Sequence, residues 1–271
     1  NKIDKTTVKL DGIVSDEEIN NAAEISLKYE ISPSYNSEAE RSTIAYVTYS
    51  ETYLYIGVIA QRDKIISNII NRDDWAMYNG DLISIELDTY GDARNQIFLV
   101  ANPSGSLLDA IRLDGRGYSG SDYNLRKSAN FDFNARGSIK DDGFDIEFII
   151  PFSEIPFPNG KDQKWNINIR SRHFEERVAI TTNSSKANRE ATCQLCLMDH
   201  EILFKDIVIE KQLEFLPYIS GNFSGEKQLY NETLKLNNQN FDYGLGINFD
   251  LNKSLSIEAT INPDFSQVES D

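Results

Sequence analysis

Two hundred and seventy-one residues, 40% of them hydrophobic and 26% charged, make a chain long enough to bury a core without a disulfide or a metal. The formal charge of −16, from 43 Asp and Glu against 27 Lys and Arg, repels phosphate backbones and argues against a general nucleic-acid-binding role. No apolar run approaches the roughly 18 residues of a helical membrane span, a test blind to membrane strands.

The chain opens on the polar stretch NKIDKTTVKLDG, without an initiator Met and without the pattern of a signal peptide. A processed product that has lost its address is therefore expected. Asp16–Ala23 predicts the one helix worth naming, capped by Ser15 with Glu18 three positions on. Strand patterns follow. Ser42–Ser50 and Thr52–Gln61 are rich in Tyr, Val and Ile, and Ser50-Glu51-Thr52 predicts a hairpin between them. Asp81–Asp88 places Ile83, Ile85 and Leu87 on one face and Ser84, Glu86 and Asp88 on the other. Asn95–Ala101 comes after the turn residues Thr89-Tyr90-Gly91-Asp92, so the two predict an antiparallel pair.

Gly143–Phe152 puts Phe144, Ile146, Phe148 and Ile150 on one face. Trp165–Arg172 alternates Trp165, Ile167 and Ile169 inward with Asn166, Asn168, Arg170 and Arg172 outward. The loops at Asn102–Gly105, Asp114–Gly120 and Pro156–Lys161 are rich in Gly, Pro, Asn and Ser. Short strands with frequent turn signals and no βα alternation predict an all-β fold, an antiparallel β-sandwich over about residues 8–180. Beyond Glu210 three more patterned segments appear, Leu213–Phe223, Phe241–Leu251 and Leu255–Ile261. Phe241, Tyr243, Leu245, Ile247, Phe249 and Leu251 alternate with polar residues and glycines. That pattern fits either a half-exposed sheet or a tilted membrane strand.

The stretches VKLDGIVSDEEINNA (8–22), STIAYVTYSETYLYIGV (42–58), DDWAMYNGDLISIELDTYGDARNQIFLVANPSG (73–105) and DDGFDIEFIIPFSEIPFP (141–158) resemble the family 9 carbohydrate-binding-module sandwich. FLPYISG (215–221) and INPDFSQVESD (261–271) resemble large outer-membrane proteins of Bacteroidetes-type bacteria, in which such a domain precedes a β-barrel of unknown function. The resemblance implies a sandwich over 1–205 and the truncated start of a barrel over 206–271. It also implies an outer-membrane location with the sandwich periplasmic or on the cell surface, and the chain's own barrel as a partner. Sugar-binding members of the family stack a sugar between aromatic rings and bind calcium. Their usual early Trp is absent here, where Ile19 stands in its place.

Only Trp75 and Trp165 exist. Trp165 begins an inward face and reads as core. Trp75 lies in NRDDWAMYNGD with Tyr78 three residues on, and two readings stand: a platform for a pyranose ring, or a ring sealing the sandwich edge. Arg112, Tyr118 and Tyr123, with Asp109, Asp114 and Arg116, fall in LLDAIRLDGRGYSGSDY. That stretch reads either as a binding loop at the sandwich rim or as an ordinary salt-bridged one. Asp88, Asp92 and Asn95 surround the turn DTYGDARN; they fit a Ca2+ ligand set or a solvated acidic turn.

Glu86 and Asp88, about 6–7 Å apart by strand rise, overlap the spacing of a glycosidase pair. One strand presents both from the same side, however, which suits a solvated sheet face better. Asp145 and Glu147 repeat the arrangement. Cys193 and Cys196 in ATCQLCLMDH fit zinc with Asp199, His200 or His173, or a redox pair, poorly; a local disulfide or two free thiols in the joint between domains remain, and an extracytoplasmic setting favours the disulfide. His173 closes the Trp165–Arg172 strand as a structural histidine, and no G-x-S-x-G elbow or phosphate loop is present. The resulting expectation is a non-catalytic extracytoplasmic sandwich that binds carbohydrate, with no cofactor other than Ca2+. The alternatives are a structural domain docking on its barrel and a polysaccharide-directed hydrolase.

Overall fold

A computed structural model describes residues 8–113, 125–208, 213–226, 235–252 and 255–262. The chain divides into two compact units, Asn1–Ile209 and Glu210–Asp271.

Two antiparallel sheets make the first unit. The five-stranded one runs β1 (Ala23–Ser26), β4 (Thr43–Tyr49), β5 (Tyr53–Gln61), β11 (Gly143–Pro151), β10 (Asn134–Lys140). The second begins with β3 (Ser37–Glu38), β2 (Tyr29–Ser32), β13 (Val178–Asn183) and β12 (Gln163–Glu175). It continues through β6 (Leu82–Asp88), β7 (Asn95–Ala101), β8 (Leu107–Leu113) and β9 (Leu125–Arg126). The remaining strand, β14 (His200–Phe204), shares the free half of the β12 edge with β13, pairing residues 163–167 while β13 pairs 170–175. The β4–β5 hairpin closes where expected: the Ser50 hydroxyl accepts the N–H groups of Thr52 and Tyr53, both at 3.1 Å.

Period-two alternation explains the core. Leu54, Ile56 and Val58 of β5 and Phe144, Ile146 and Phe148 of β11 face Ile83, Ile85, Leu99, Ile167 and Ile169 from the opposite sheet, all fully buried. At one end Trp165, 0% exposed, packs edge-on against Phe152 and Phe204.

The expected helix shrinks to one turn, Asp16–Ile19, because Ala23 enters β1 and pairs with Val47. Its cap holds, with the Glu18 carboxylate accepting Ser15 N–H at 3.0 Å and the Ser15 hydroxyl at 2.8 Å. Asp145 and Glu147, expected on a solvated face, are buried instead. The N-terminal segment lies across that face: Asp11 and Gly12 donate their N–H groups to Glu147, Val14 donates to Asp145, and Lys140 pairs with Asp145. The Tyr55 hydroxyl completes the set at 2.9 Å from Glu147. Gly12 adopts φ +89°, and a Cβ there would lie 2.7 Å from the carbonyl oxygen of Gly137. Two buried carboxylates thus strap residues 11–14 to the outside of the sandwich.

The second unit is a three-stranded antiparallel sheet of β15 (Leu213–Glu226), β16 (Lys235–Asn252) and β17 (Leu255–Ile261). Register puts Phe215 opposite Ile247, Ile219 opposite Tyr243 and Leu245 opposite Ile261, so these apolar residues share one face. Phe215, Ile219, Tyr243 and Ile261 are all more than half exposed. On the other face Tyr218 lies over Gly244, where a Cβ would strike its ring. β16 spans 18 residues, well beyond the Phe241–Leu251 segment that the pattern marks.

Candidate functional site

Among the described residues a group of polar side chains gathers on the outer face of the larger sheet. Across β8, β7, β6 and β12 the register aligns Arg112 with Gln96, Phe98 with Glu86, and Glu86 with Asn168. Arg170 is opposite Ser84, one step along the same face. At the centre Glu86 is 1% exposed. Its Oε1 meets Arg112 Nη1 at 3.3 Å and Arg170 Nη2 at 3.2 Å. Its Oε2 accepts Asn168 Nδ2 at 2.7 Å and Gln96 Nε2 at 3.3 Å. Burial alone would raise this carboxyl, but Arg170, Arg112 and the Asn168 amide hold it below the ordinary range.

A second tier fixes the first. Gln96 Oε1 accepts Arg112 Nη1 at 2.8 Å, Asn183 Oδ1 accepts Asn168 Nδ2 at 2.8 Å, and Asn168 Oδ1 accepts the Ser184 hydroxyl at 3.0 Å. Gln96, Asn168 and Asn183 are buried, whereas the arginine side chains are 25% and 28% exposed. Only the two guanidiniums of this network reach solvent to any extent.

Beside them stands an aromatic wall. The segment before β6 folds over the outer face and ends in a 3-10 turn, Trp75–Asn79, whose first N–H groups include Ala76 donating to Asp74 at 2.9 Å. Met77 of this turn closes a small second core with Phe98, Val100 and Leu108. Trp75 and Tyr78 stack with ring centroids 5.5 Å apart and planes 10° from parallel. Cations flank the stack: Lys127 Nζ lies 4.2 Å from the Trp75 ring centroid and Arg172 Cζ 5.8 Å from that of Tyr78. Arg172 Nε also donates to the Tyr78 carbonyl at 3.0 Å. Burial pushes the Tyr78 phenol up to about 12, with Arg170 and Arg112 close enough to pull it back in part. The wall and the guanidiniums therefore share one neighbourhood.

Architecturally the first unit has known counterparts. The chain is similar to a family 9 carbohydrate-binding module from Caldicellulosiruptor kristjanssonii solved in complex with cellotriose, at TM-score 0.53 and 15% identity over 75% of this chain and 92% of that one. Its complex with glucose gives 0.52, 15%, 76% and 95%. A Bacteroides uniformis protein assigned provisionally to carbohydrate binding gives 0.53 at 9% identity, over 69% and 88%. The sandwich has the family 9 module fold. No curated protein matches the chain. A model described as a domain of unknown function (DUF5916) matches residues 211–271, a span that holds both FLPYISG and INPDFSQVESD.

Within this family 9-like sandwich the sequence candidates separate. Trp75, Tyr78 and Arg112 come together on one face. Arg112 and Asp109 belong to β8, however, and not to the loop that composition predicts. Asp109 is buried, accepts the Phe131 N–H, and faces Arg72 at 3.6 Å. Tyr118, Tyr123, Asp114 and Arg116 lie outside the described residues.

Asp88, Asp92 and Asn95 lie around the connection from the end of β6 to the start of β7. Asp88 is 1% exposed and spends its oxygens on its own turn, accepting Gly91 N–H at 2.8 Å and Ala93 N–H at 3.0 Å. Asp92 caps Arg94 N–H at 3.0 Å, and Asn95 is exposed at the strand start. Among the described residues no group of three His, Cys, Asp or Glu side chains is placed to hold a metal ion.

Glu86 and Asp88, expected on a solvated face, are buried and separately engaged. Among the described residues the partners of Glu86 are guanidiniums and amides. Cys193 and Cys196 are joined as a disulfide, so they offer zinc no thiolate. His173 is 3% exposed, and burial beside Arg62 and Arg41 pushes its ring down to about 4. Arg170, Gln96, Asn168 and Asn183 escaped the sequence reading as site residues. The available signal was the outward set Asn168 and Arg170 on the same face as Glu86, a juxtaposition that needs the β6–β12 pairing to become visible.

Proposed function

We propose that the sandwich is a non-catalytic glycan-binding domain whose ligand lies on the outer face of the larger sheet, against Arg112, Arg170 and the Trp75–Tyr78 wall. One observation carries this: two part-exposed guanidiniums held rigid by a fully buried carboxylate, next to a stacked aromatic pair. Fixed planar donors beside an apolar ring edge suit an equatorial array of sugar oxygens on a carbon skeleton. The family 9 modules solved with cellotriose and glucose support the reading by fold. The hydrolase alternative has less support, since the Glu86 oxygens are already occupied by four donors.

The second unit supports the other half of the proposal, attachment to an outer-membrane β-barrel with the sandwich on the periplasmic or outer side. Strands of 14 and 18 residues exceed the roughly 9–11 needed to cross a bilayer. Their exposed apolar face alternates with polar residues and small glycines, as membrane strands do. A docking domain would use the same face against protein.

A glycan array followed by calorimetry on the full chain tests the sandwich. Binding by the wild type with at least tenfold loss in Arg112→Ala and Trp75→Ala supports the proposal. Binding unchanged in both variants would place the ligand elsewhere.

A further inference from the structure

Among the described residues the carboxylate and amide oxygens at the candidate site each already accept at least one donor. The Glu86 oxygens take two guanidinium and two amide donors, Gln96 Oε1 takes Arg112, Asn168 Oδ1 takes Ser184, and Asn183 Oδ1 takes Asn168. The donors are in excess. Arg112 uses only Nη1, and Arg170 Nε is buried with no hydrogen-bond partner. Arg172 adds a third guanidinium two residues along β12 on the same face, anchored through Nε to the Tyr78 carbonyl. Among the described residues three guanidiniums thus stand around the one Glu86 carboxylate, on a protein whose overall charge is −16. The Asp88 carboxylate, next along β6, is turned into its own loop.

A neutral sugar presents hydroxyls that must both donate and accept, and this face has donors to give and few acceptors. A ligand made of acceptors alone meets no such shortfall. On the glycan-binding reading above, we propose that the site selects an acidic polysaccharide, one whose sugars carry carboxylates as uronic acids do. A carboxylate fits the fork of a guanidinium through two parallel hydrogen bonds, a geometry a single lysine ammonium cannot reproduce. The chain's net charge of −16 then acts as a filter, since a polyanion gains by contact only at a cluster of cations such as these arginines.

Calorimetry on the unmodified full chain tests this with four probes: an oligogalacturonate, the same oligomer with its carboxyls reduced to alcohols, a cello-oligosaccharide of equal length, and polyglutamate. The expected result is oligogalacturonate binding at least tenfold tighter than its reduced form, weakening as salt rises, with no binding of polyglutamate. Arg112→Lys, which keeps the charge, is expected to lose most of that preference. Equal affinity for the acidic, reduced and neutral oligomers would overturn the acidic class and leave glycan binding standing. Binding of polyglutamate as tight as the uronate would overturn recognition of a sugar acid in favour of charge alone. Failure of all three glycans would remove the underlying reading too.

Discussion

Replacing Glu86 by Ala isolates the part of the site that does not touch ligand. The change leaves Arg112 and Arg170, which share one carboxylate oxygen at 3.3 and 3.2 Å, facing each other without a counter-charge. It also orphans the amide donors of Asn168 and Gln96, both buried. Removing one member of a buried ion pair costs about 3–5 kcal/mol, and a single buried donor left unpaired about 1–3 kcal/mol. Because the arginines are about a quarter exposed and can take up water, the low end applies, near 3 kcal/mol.

Set against a typical domain stability of about 5–15 kcal/mol, the variant folds with a much smaller margin. Both tryptophans belong to the first unit, so urea unfolding followed by tryptophan fluorescence reports the sandwich without interference from the second. Glu86→Gln, which keeps an acceptor but not the charge, should fall between. A loss under about 1 kcal/mol in Glu86→Ala would show that the carboxylate does not hold the arginines. The pH dependence has a definite sign. A carboxyl held below its unfolded value of 4.5 contributes stability above that pH and loses it as pH falls through the lowered folded value. The gap between wild type and Glu86→Ala should therefore be full at neutral pH and narrow as pH falls below 4.5.

Three further outcomes are expected. In a proton NMR titration the His173 ring should titrate near 4, so its contribution to stability is complete above pH 6.5 and is lost as pH falls from there toward 4; titration near 6.5 would contradict its burial beside Arg62 and Arg41. Gly12→Ala should lower the urea midpoint by the equivalent of about 1–3 kcal/mol, since the residue has positive φ and its new Cβ meets the Gly137 carbonyl; an unchanged midpoint would mean the N-terminal strap is not docked on the sheet. Ile219→Asp combined with Tyr243→Asp, both exposed and opposite one another on the apolar face, should abolish flotation of the chain with phosphatidylethanolamine–phosphatidylglycerol vesicles; flotation equal to wild type would count against a lipid-facing sheet.

Strand positions were legible because alternation survives in single segments. Asn95–Ala101 and Leu255–Ile261 match their strands residue for residue, and Trp165 is as buried as its inward pattern requires. What alternation cannot reveal is a second layer over the polar face. Glu86, Asp145 and Glu147 sit on outward positions, yet the N-terminal strap covers two of them and cross-strand partners enclose the third. A charged residue on an outward strand position therefore reads as solvated until the covering segment is known. The same limit hid the site. Its members are spread over β6, β7, β8 and β12, far apart in sequence, and meet only through register. Trp75 and Tyr78 were findable because they lie three residues apart on one turn. Asp109 and Arg112 read as loop residues in the sequence because Leu107–Leu113 runs into a Gly-rich stretch that masks the strand.

The central claim is that glycan binds on the outer face of the larger sheet. The most direct measurement is a two-dimensional NMR titration that resolves the Arg112 and Arg170 guanidinium Nε–H groups and the Trp75 and Trp165 indole N–H groups while oligogalacturonate is added. Saturable shifts in both arginines and in Trp75, with Trp165 unmoved in the core, are the predicted result. Saturable shifts elsewhere in the sandwich, with Arg112, Arg170 and Trp75 unmoved, would contradict it.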